Sequence, residues 1–233
     1  MSHRTLPWFE DACRVGSKGW LIPLFSRSDY PIGKAREITE RANIAAMMNP
    51  FSATDLKRWV EENRHLYKPP YKTNHILAHY NEFFLLVLNG PNARLDFHRE
   101  PGEEFFFQIH GDIELHVKPE GERRQVVKIR EGEMFLCPGG VAHSPRRGEG
   151  TWGLVIERKR KAEETEQFIW FCEACDTEVL ARTVVQGDTG AQVTAIYEEF
   201  NGSPDLRTCK SCGYVFPVAP RAQRLGFLEK NTR

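Results

Sequence analysis

The chain has no net charge: 32 Lys and Arg balance 32 Asp and Glu. That balance argues against a nucleic-acid or acidic-membrane partner, since both are recruited by an excess of positive charge. There is also no apolar run near the ~20 residues needed to cross a bilayer. The strongest candidate, Trp20-Leu-Ile-Pro-Leu-Phe25, is broken by Pro23, and Met1–Asp11 carries no basic-then-apolar leader pattern. These absences predict a soluble, cytoplasmic protein. Cysteine is sparse as well. There are six in 233 residues, four of them in two Cys-x-x-Cys pairs, Cys172/Cys175 and Cys209/Cys212. In a cytosolic chain that spacing reads as a metal site before it reads as disulfides. Cys13 and Cys137 stand alone and are expected to be free, packed thiols.

Apolar residues make up 40% of the chain and charged residues 27%. This is enough for an ordinary globular core, and the length suits one sizeable domain with a small appendage. Residues 1–50 show no sustained period, although Ala35–Met48 is compatible with a helix. From Thr54 the pattern sharpens. Leu56, Trp59, Val60, Asn63 and Leu66 follow helical spacing, with Thr54 or Ser52 placed to cap the N-terminus and Tyr67-Lys-Pro-Pro70 ending the helix.

The following segment is cut into short pieces by Gly and Pro. Strands are predicted over 75–80, 83–88, 93–98, 104–109, 112–118, 124–129, 133–136 and 152–158. No helices alternate with them, so a jelly-roll barrel is favoured over a doubly wound α/β fold. The charged stretch Lys159–Glu166 marks a boundary. The expected organisation is an N-terminal extension (1–50), a β-barrel domain (51–160) and a four-cysteine unit (161–233).

Two segments concentrate the chemistry. One runs Gly90-Pro-Asn-Ala-Arg94-Leu-Asp96-Phe-His98 and on through Glu103-Glu104 to Gly111. The other, Gly132 to Arg147, contains Gly-x5-Pro-x-Gly-x2-His without a gap. They resemble the two cupin motifs, which implies a cupin (double-stranded β-helix) barrel with a metal at its open interior. His98, Glu104 and His143 supply two imidazoles and a carboxylate, a set that leaves positions on Fe(II) free for substrate and dioxygen. Strand alternation would place Arg94 and Asp96 on the same face as His98. Many cupins have a histidine where this chain has Asp96, so Asp96 is expected outside the metal's own ligands, orienting one of them. The other histidines, His65, His75, His79, His110 and His116, are read as surface or satisfied core residues.

Beyond the motifs, the chain resembles the 3-hydroxyanthranilate 3,4-dioxygenase family over roughly residues 50–220. The resemblance is carried by Lys68-Pro-Pro70, Gly90–His98, Glu103-Glu-Phe-Phe106, His143-Ser-Pro145 with Arg147, and Leu154-Val-Ile-Glu-Arg158. Trp170-Phe-Cys-Glu-Ala-Cys175 and Cys209-Lys-Ser-Cys-Gly213 resemble the short bacterial members. It implies Fe(II) held by His98, Glu104 and His143, and extradiol-type cleavage of an aminophenol carboxylate by O2. Arg147 would clamp the substrate carboxylate. Glu157 would bind the amino or hydroxyl group and accept a proton, Arg94 would stabilise charge developing near oxygen, and Asn74 would line the pocket. A homodimer is also implied. The four cysteines would form a rubredoxin-like site for iron or zinc, remote from the chemistry. A zinc ribbon binding nucleic acid is the rival for that unit, disfavoured by the zero net charge and the only modest basic clustering near it, Arg207 and Lys210. Two departures leave the substrate open to a substituted aminophenol: the N-terminal extension matches nothing in the family, and the Arg147–Glu157 spacing is one residue shorter than in some members. A cupin that binds a small carboxylate without oxygen chemistry is the alternative from another class.

Overall fold

The computed structural model describes residues 53–69, 73–92 and 94–218. The extension 1–50 with its candidate helix Ala35–Met48, Cys13 and Ser52 lie outside them. The first element, α1 (Leu56–Asn63), continues into a short 3-10 turn, Arg64–Leu66. Its cap is Asp55 rather than Thr54. The Asp55 carboxylate accepts the Arg58 amide at 3.1 Å, satisfying one of the amides a helix start leaves without a partner. Val60 faces inward, and the chain leaves the helix before the prolines.

Eleven strands follow among the described residues. They are β1 (Asn74–His79), β2 (Phe83–Asn89), β3 (Phe97–Arg99), β4 (Glu104–His110), β5 (Ile113–Lys118) and β6 (Gln125–Ile129). After these come β7 (Met134–Cys137), β8 (Ala142–Arg147), β9 (Trp152–Arg158), β10 (Glu166–Phe171) and β11 (Glu178–Val184). All pair antiparallel in two sheets, β1-β2-β9-β4-β7 and β11-β10-β3-β8-β5-β6. This is the mainly β, two-sheet architecture expected. The predicted strand 93–98 shrinks to Phe97–Arg99, so Arg94 and Asp96 precede the ladder rather than belonging to it. β8 was missed at the sequence level because Pro145 and the charged pair Arg146-Arg147 mask its alternation.

The barrel interior follows the two-residue period of its strands. Along β5, Ile113, Leu115 and Val117 are buried while Glu114 is exposed. They pack with Leu86, Phe106, Ile129, Cys137 and Val155 in one core cluster. Cys137 is the packed thiol expected. α1 closes one side of the other sheet through Val60, which clusters with Tyr67, Leu77, Val87, Ile109, Trp152 and Leu154.

The segment after residue 160 is continuous with the barrel. β10 pairs with β3, and Phe168 sits opposite His98. Phe168 and Trp170 share the His98 side of the sheet. On that side they are covered by α2 (Thr189–Gly202) through Val193, Ile196 and Phe200, with Phe216 added. The β5–β6 hairpin is tied to the start of the cysteine unit by Arg124. Its guanidinium donates to Asp176 Oδ1 at 3.1 Å, Glu173 Oε1 at 2.9 Å and the carbonyls of Phe171 and Cys172 at 3.1 Å. Because these bonds involve a charged, mostly buried group, Arg124→Ala should destabilise the fold by about 2–3 kcal/mol. Urea unfolding followed by tryptophan fluorescence would report it. An unchanged midpoint would show that hairpin and cysteine unit hold without each other.

Candidate active site

The two sheets face each other so that their pairing assembles the site. His98 on β3 stands directly opposite His143 on β8. On the other sheet Glu104 on β4 stands opposite Glu157 on β9. The ligating atoms of His98, Glu104 and His143 all lie within 4.8 Å of one another. Glu104 Oε1 is 3.0 Å from His143 Nε2 and 3.4 Å from His98 Nδ1. That oxygen is buried without a well-formed hydrogen bond. A buried, orphaned carboxylate oxygen converging with two imidazole nitrogens fits a metal ion, which would supply the missing partner. Burial would raise the Glu104 carboxyl, but the imidazoles of His143 and His98 outweigh it and hold it well below the usual range.

Each imidazole is aimed by its other nitrogen. His143 Nδ1 lies 3.0 Å from the Val141 carbonyl, leaving Nε2 for the site. His98 Nε2 lies 2.6 Å from Glu166 Oε2, leaving Nδ1 for the site. Glu166 in turn pairs with Arg160 at 2.9 Å. Sequence reading missed Glu166 because it enters from β10, beyond the motifs. The only hint was a carboxylate at the start of an apolar run. Glu100 was missed too. Its carboxyl, raised to about 7 by burial and by the charges of Glu104 and Glu166, lies in the same acidic neighbourhood.

A second level of polar groups lies four residues along the same strand faces. Arg147 shares the β8 face of His143, and Gln108 shares the β4 face of Glu104. Arg147 Nη1 donates to Gln108 Oε1 at 3.1 Å. The Arg147 guanidinium is 4% exposed as a residue, no described carboxylate pairs with it, and its Nε has no partner. Burial alone lowers its pKa to about 10, so it stays charged at neutral pH. Space for this contact depends on Gly153. A Cβ there would come within 2.5 Å of Gln108 Oε1 and 2.8 Å of Arg147 Nη1. The Gly90-Pro-Asn segment fixes the strand. Asn92 accepts the Arg147 amide at 2.9 Å and donates to the Pro145 carbonyl at 2.9 Å.

Glu157 shares the interior face with Gly153 and Val155, as the alternation predicted. Burial, reinforced by the nearby charges of Glu104 and Glu100, raises its carboxyl well above the usual range. Asn74 opens β1, opposite Leu88 and half-buried, at some remove in the sheet from β9. Asp96 requires a correction. Its described partners are Arg94, whose Nε donates at 2.9 Å and whose Nη2 forms an ion pair at 2.9 Å, and Tyr197, neither of them in the His98–Glu104–His143 cluster. The reason is the short β3: ahead of the ladder, Asp96 turns toward α2. Arg94 lies over the Phe168 ring, 5.7 Å from its centroid, and the negative charge of Glu104 reaches it. Among the remaining histidines, His65 is exposed, His110 pairs with Glu131 and His116 lies beside Glu114. None of these three joins the cluster.

The four cysteines come together as expected, with sulfur atoms within 4.8 Å of one another. Two matching turns present them. The Cys172 carbonyl accepts the Asp176 amide, and the Cys209 carbonyl accepts that of Gly213, both at 2.9 Å. Each turn closes on a left-handed residue, Asp176 at φ 62° and Gly213 at φ 78°. Glycine adopts that conformation freely. Asp176 is instead held there by Arg124 and by Lys118 at 2.9 Å.

This geometry can be set beside known proteins. The family model for 3-hydroxyanthranilic acid dioxygenase matches residues 47–201. The 3-hydroxyanthranilate 3,4-dioxygenase of Bacillus thuringiensis (strain Al Hakam) is 40% identical over 171 residues, which are 73% of this chain and 95% of that protein. Its namesake in Neurospora crassa is 39% identical over 170 residues, 73% of this chain and 93% of that one. That of Xanthomonas euvesicatoria is 39% identical over 167 residues, 72% and 93% respectively. The family match contains both cupin motifs, Arg147, Glu157 and the strand that brings Glu166 to His98, and with more than half of its length covered the chain belongs to the 3-hydroxyanthranilic acid dioxygenase family.

Proposed function

We propose that the protein opens the ring of 3-hydroxyanthranilate between C3 and C4, placing both atoms of O2 in 2-amino-3-carboxymuconate semialdehyde, the precursor of quinolinate. The observation that carries this reading is the pairing of a two-His, one-carboxylate cluster with a buried guanidinium that has no carboxylate of its own. His143 and Arg147 are four residues apart on one strand face, so their Cα atoms are roughly 13 Å apart. 3-Hydroxyanthranilate carries its carboxylate beside the amine of its amino–hydroxyl pair, so a guanidinium reaching inward from further along the strand can meet the carboxylate while the amino and hydroxyl groups face the His–Glu cluster.

His98, Glu104 and His143 would hold Fe(II), which supplies a coordination site for an aminophenol and the electrons that activate O2. The protein's own residues set up the reaction. Arg147 would take the substrate carboxylate in a two-pronged contact, completing the pairing its Nε lacks. Glu157 would take the phenolic proton. A carboxyl raised by burial binds a proton firmly when ionised and can hand it back later. Arg94 would lie against charge developing on oxygen. The apolar walls formed by Phe106, Val155 and Phe168 exclude water and strengthen each of these interactions. The four thiolates would hold a second iron or a zinc in a closed tetrahedral set, with a structural role.

Protein loaded with Fe(II) without air, then mixed with 3-hydroxyanthranilate in air, should consume oxygen and yield quinolinate. Iron bound with no oxygen uptake would direct the search to substituted aminophenols. Glu157→Ala should keep its iron and lose at least about 100-fold in kcat; a variant that keeps turning over would remove Glu157 from the reaction. The buried Arg147 makes a separate demand. A non-reacting aromatic carboxylate such as 3-hydroxybenzoate, at about 100 times its Kd, should stabilise the protein by about 2.7 kcal/mol. The rise in Tm should vanish in Arg147→Gln, and a rise that survives there would place the carboxylate elsewhere.

A further inference from the structure

The four-cysteine unit reaches the site through a residue with no place in the reading above. α2 lies between the two cysteine pairs and is seated on β10 by Val193, Ile196 and Phe200. From its middle turn Tyr197 points toward the barrel. Its ring stands edge-on to Trp170, with centroids 5.4 Å apart, and its hydroxyl donates to Asp96 Oδ1. The other oxygen of that carboxylate, Oδ2, accepts from Arg94 Nε at 2.9 Å and lies 2.9 Å from its Nη2 in an ion pair. Asp96 is fully buried. A buried carboxylate with both oxygens bonded has one orientation, and the guanidinium gripping it is fixed in turn.

The backbone gives Arg94 little help. Pro91, Asn92 and residues 94–96 lie in neither strand nor helix, ahead of the three-residue β3. No sheet ladder sets the direction of Arg94, so side-chain bonds must. Were Asp96 Oδ1 left without its hydroxyl partner, the carboxylate could turn about its Cβ–Cγ bond and take Arg94 with it.

We propose that Tyr197 is a positioning residue for Arg94, acting through Asp96, and that the four-cysteine unit thereby forms part of the active site. The inference rests on the reading of Arg94 as the group that meets charge developing on oxygen. It gives the C-terminal unit a task beyond stability, since whatever seats α2 also sets the direction of Arg94.

Tyr197→Phe removes one oxygen atom and keeps the ring on Trp170. In the Fe(II)-loaded protein it should lower kcat about 10-fold, the loss expected for one hydrogen bond to a charged group. KM for the aromatic substrate and the iron content should not change. In an Arg94→Gln background the same substitution should cause no further loss. A loss of equal size in both backgrounds, or no loss in the wild-type background, overturns the proposal. A second readout needs no metal or turnover. In the apoprotein the Arg94 Nε–H resonance, identified by its disappearance in Arg94→Gln, should be protected from solvent exchange, and Tyr197→Phe should abolish that protection. Unchanged protection overturns the link. Lost protection with full activity in both Tyr197→Phe and Arg94→Gln would leave the link standing and sink the role given to Arg94.

Discussion

Strand register is the constraint on which the rest of this structure depends. His98 opposite His143 in one sheet, and Glu104 opposite Glu157 in the other, place four chemically demanding groups on interior faces. Because side chains alternate with period two, a slip of one residue in either pairing would carry the whole set to the outside. The apolar core of Leu86, Phe106, Leu115 and Val155 opposes such a slip, since the same slip would expose it. The residues that fill the barrel therefore also aim the site.

The site is ordered in two levels along the strands. The first is a carboxylate and two imidazoles with an orphaned oxygen at their centre, and the second is a buried cation held by a neutral amide. Both are left electrostatically incomplete in the protein alone. A resting protein gains nothing from burying Arg147 without a counter-charge, and the fold tolerates it only because surrounding packing over-determines the position. Gly153 illustrates how local that tolerance is, since a single methyl group there would collide with both partners.

A further layer comes from the C-terminal segment. β10 delivers Glu166 to His98, and α2 delivers Tyr197 to Asp96. Arg124 clamps the start of the cysteine unit to the barrel's hairpin and stacks on Phe97, its guanidinium carbon 5.0 Å from the ring centroid. The cysteine unit and the barrel thus share one sheet, one aromatic cluster and several buried charges.

The set of side chains that could hold a metal was legible in the sequence because two local motifs carry it. His98 and Glu104 flank one tight turn, and His143 follows a Pro-x-Gly bend. The two Cys-x-x-Cys pairs were legible for the same reason, since each turn is built from adjacent residues, down to the left-handed Gly213. The alternation that put Glu157 on the face of Gly153 and Val155 could also be read directly. What the sequence did not reveal is which distant side chains complete these groups. Glu166 meets His98, Gln108 meets Arg147 and Tyr197 meets Asp96 across many intervening residues, and no periodicity links such partners. The true extent of β3 was hidden likewise, so Asp96 was read as a ligand's support when it belongs to Arg94. Local motifs fix which atoms can bind a metal, because a turn's geometry is set by its own few residues. Which groups hold those atoms in place is decided only when two sheets and a helix close on one another.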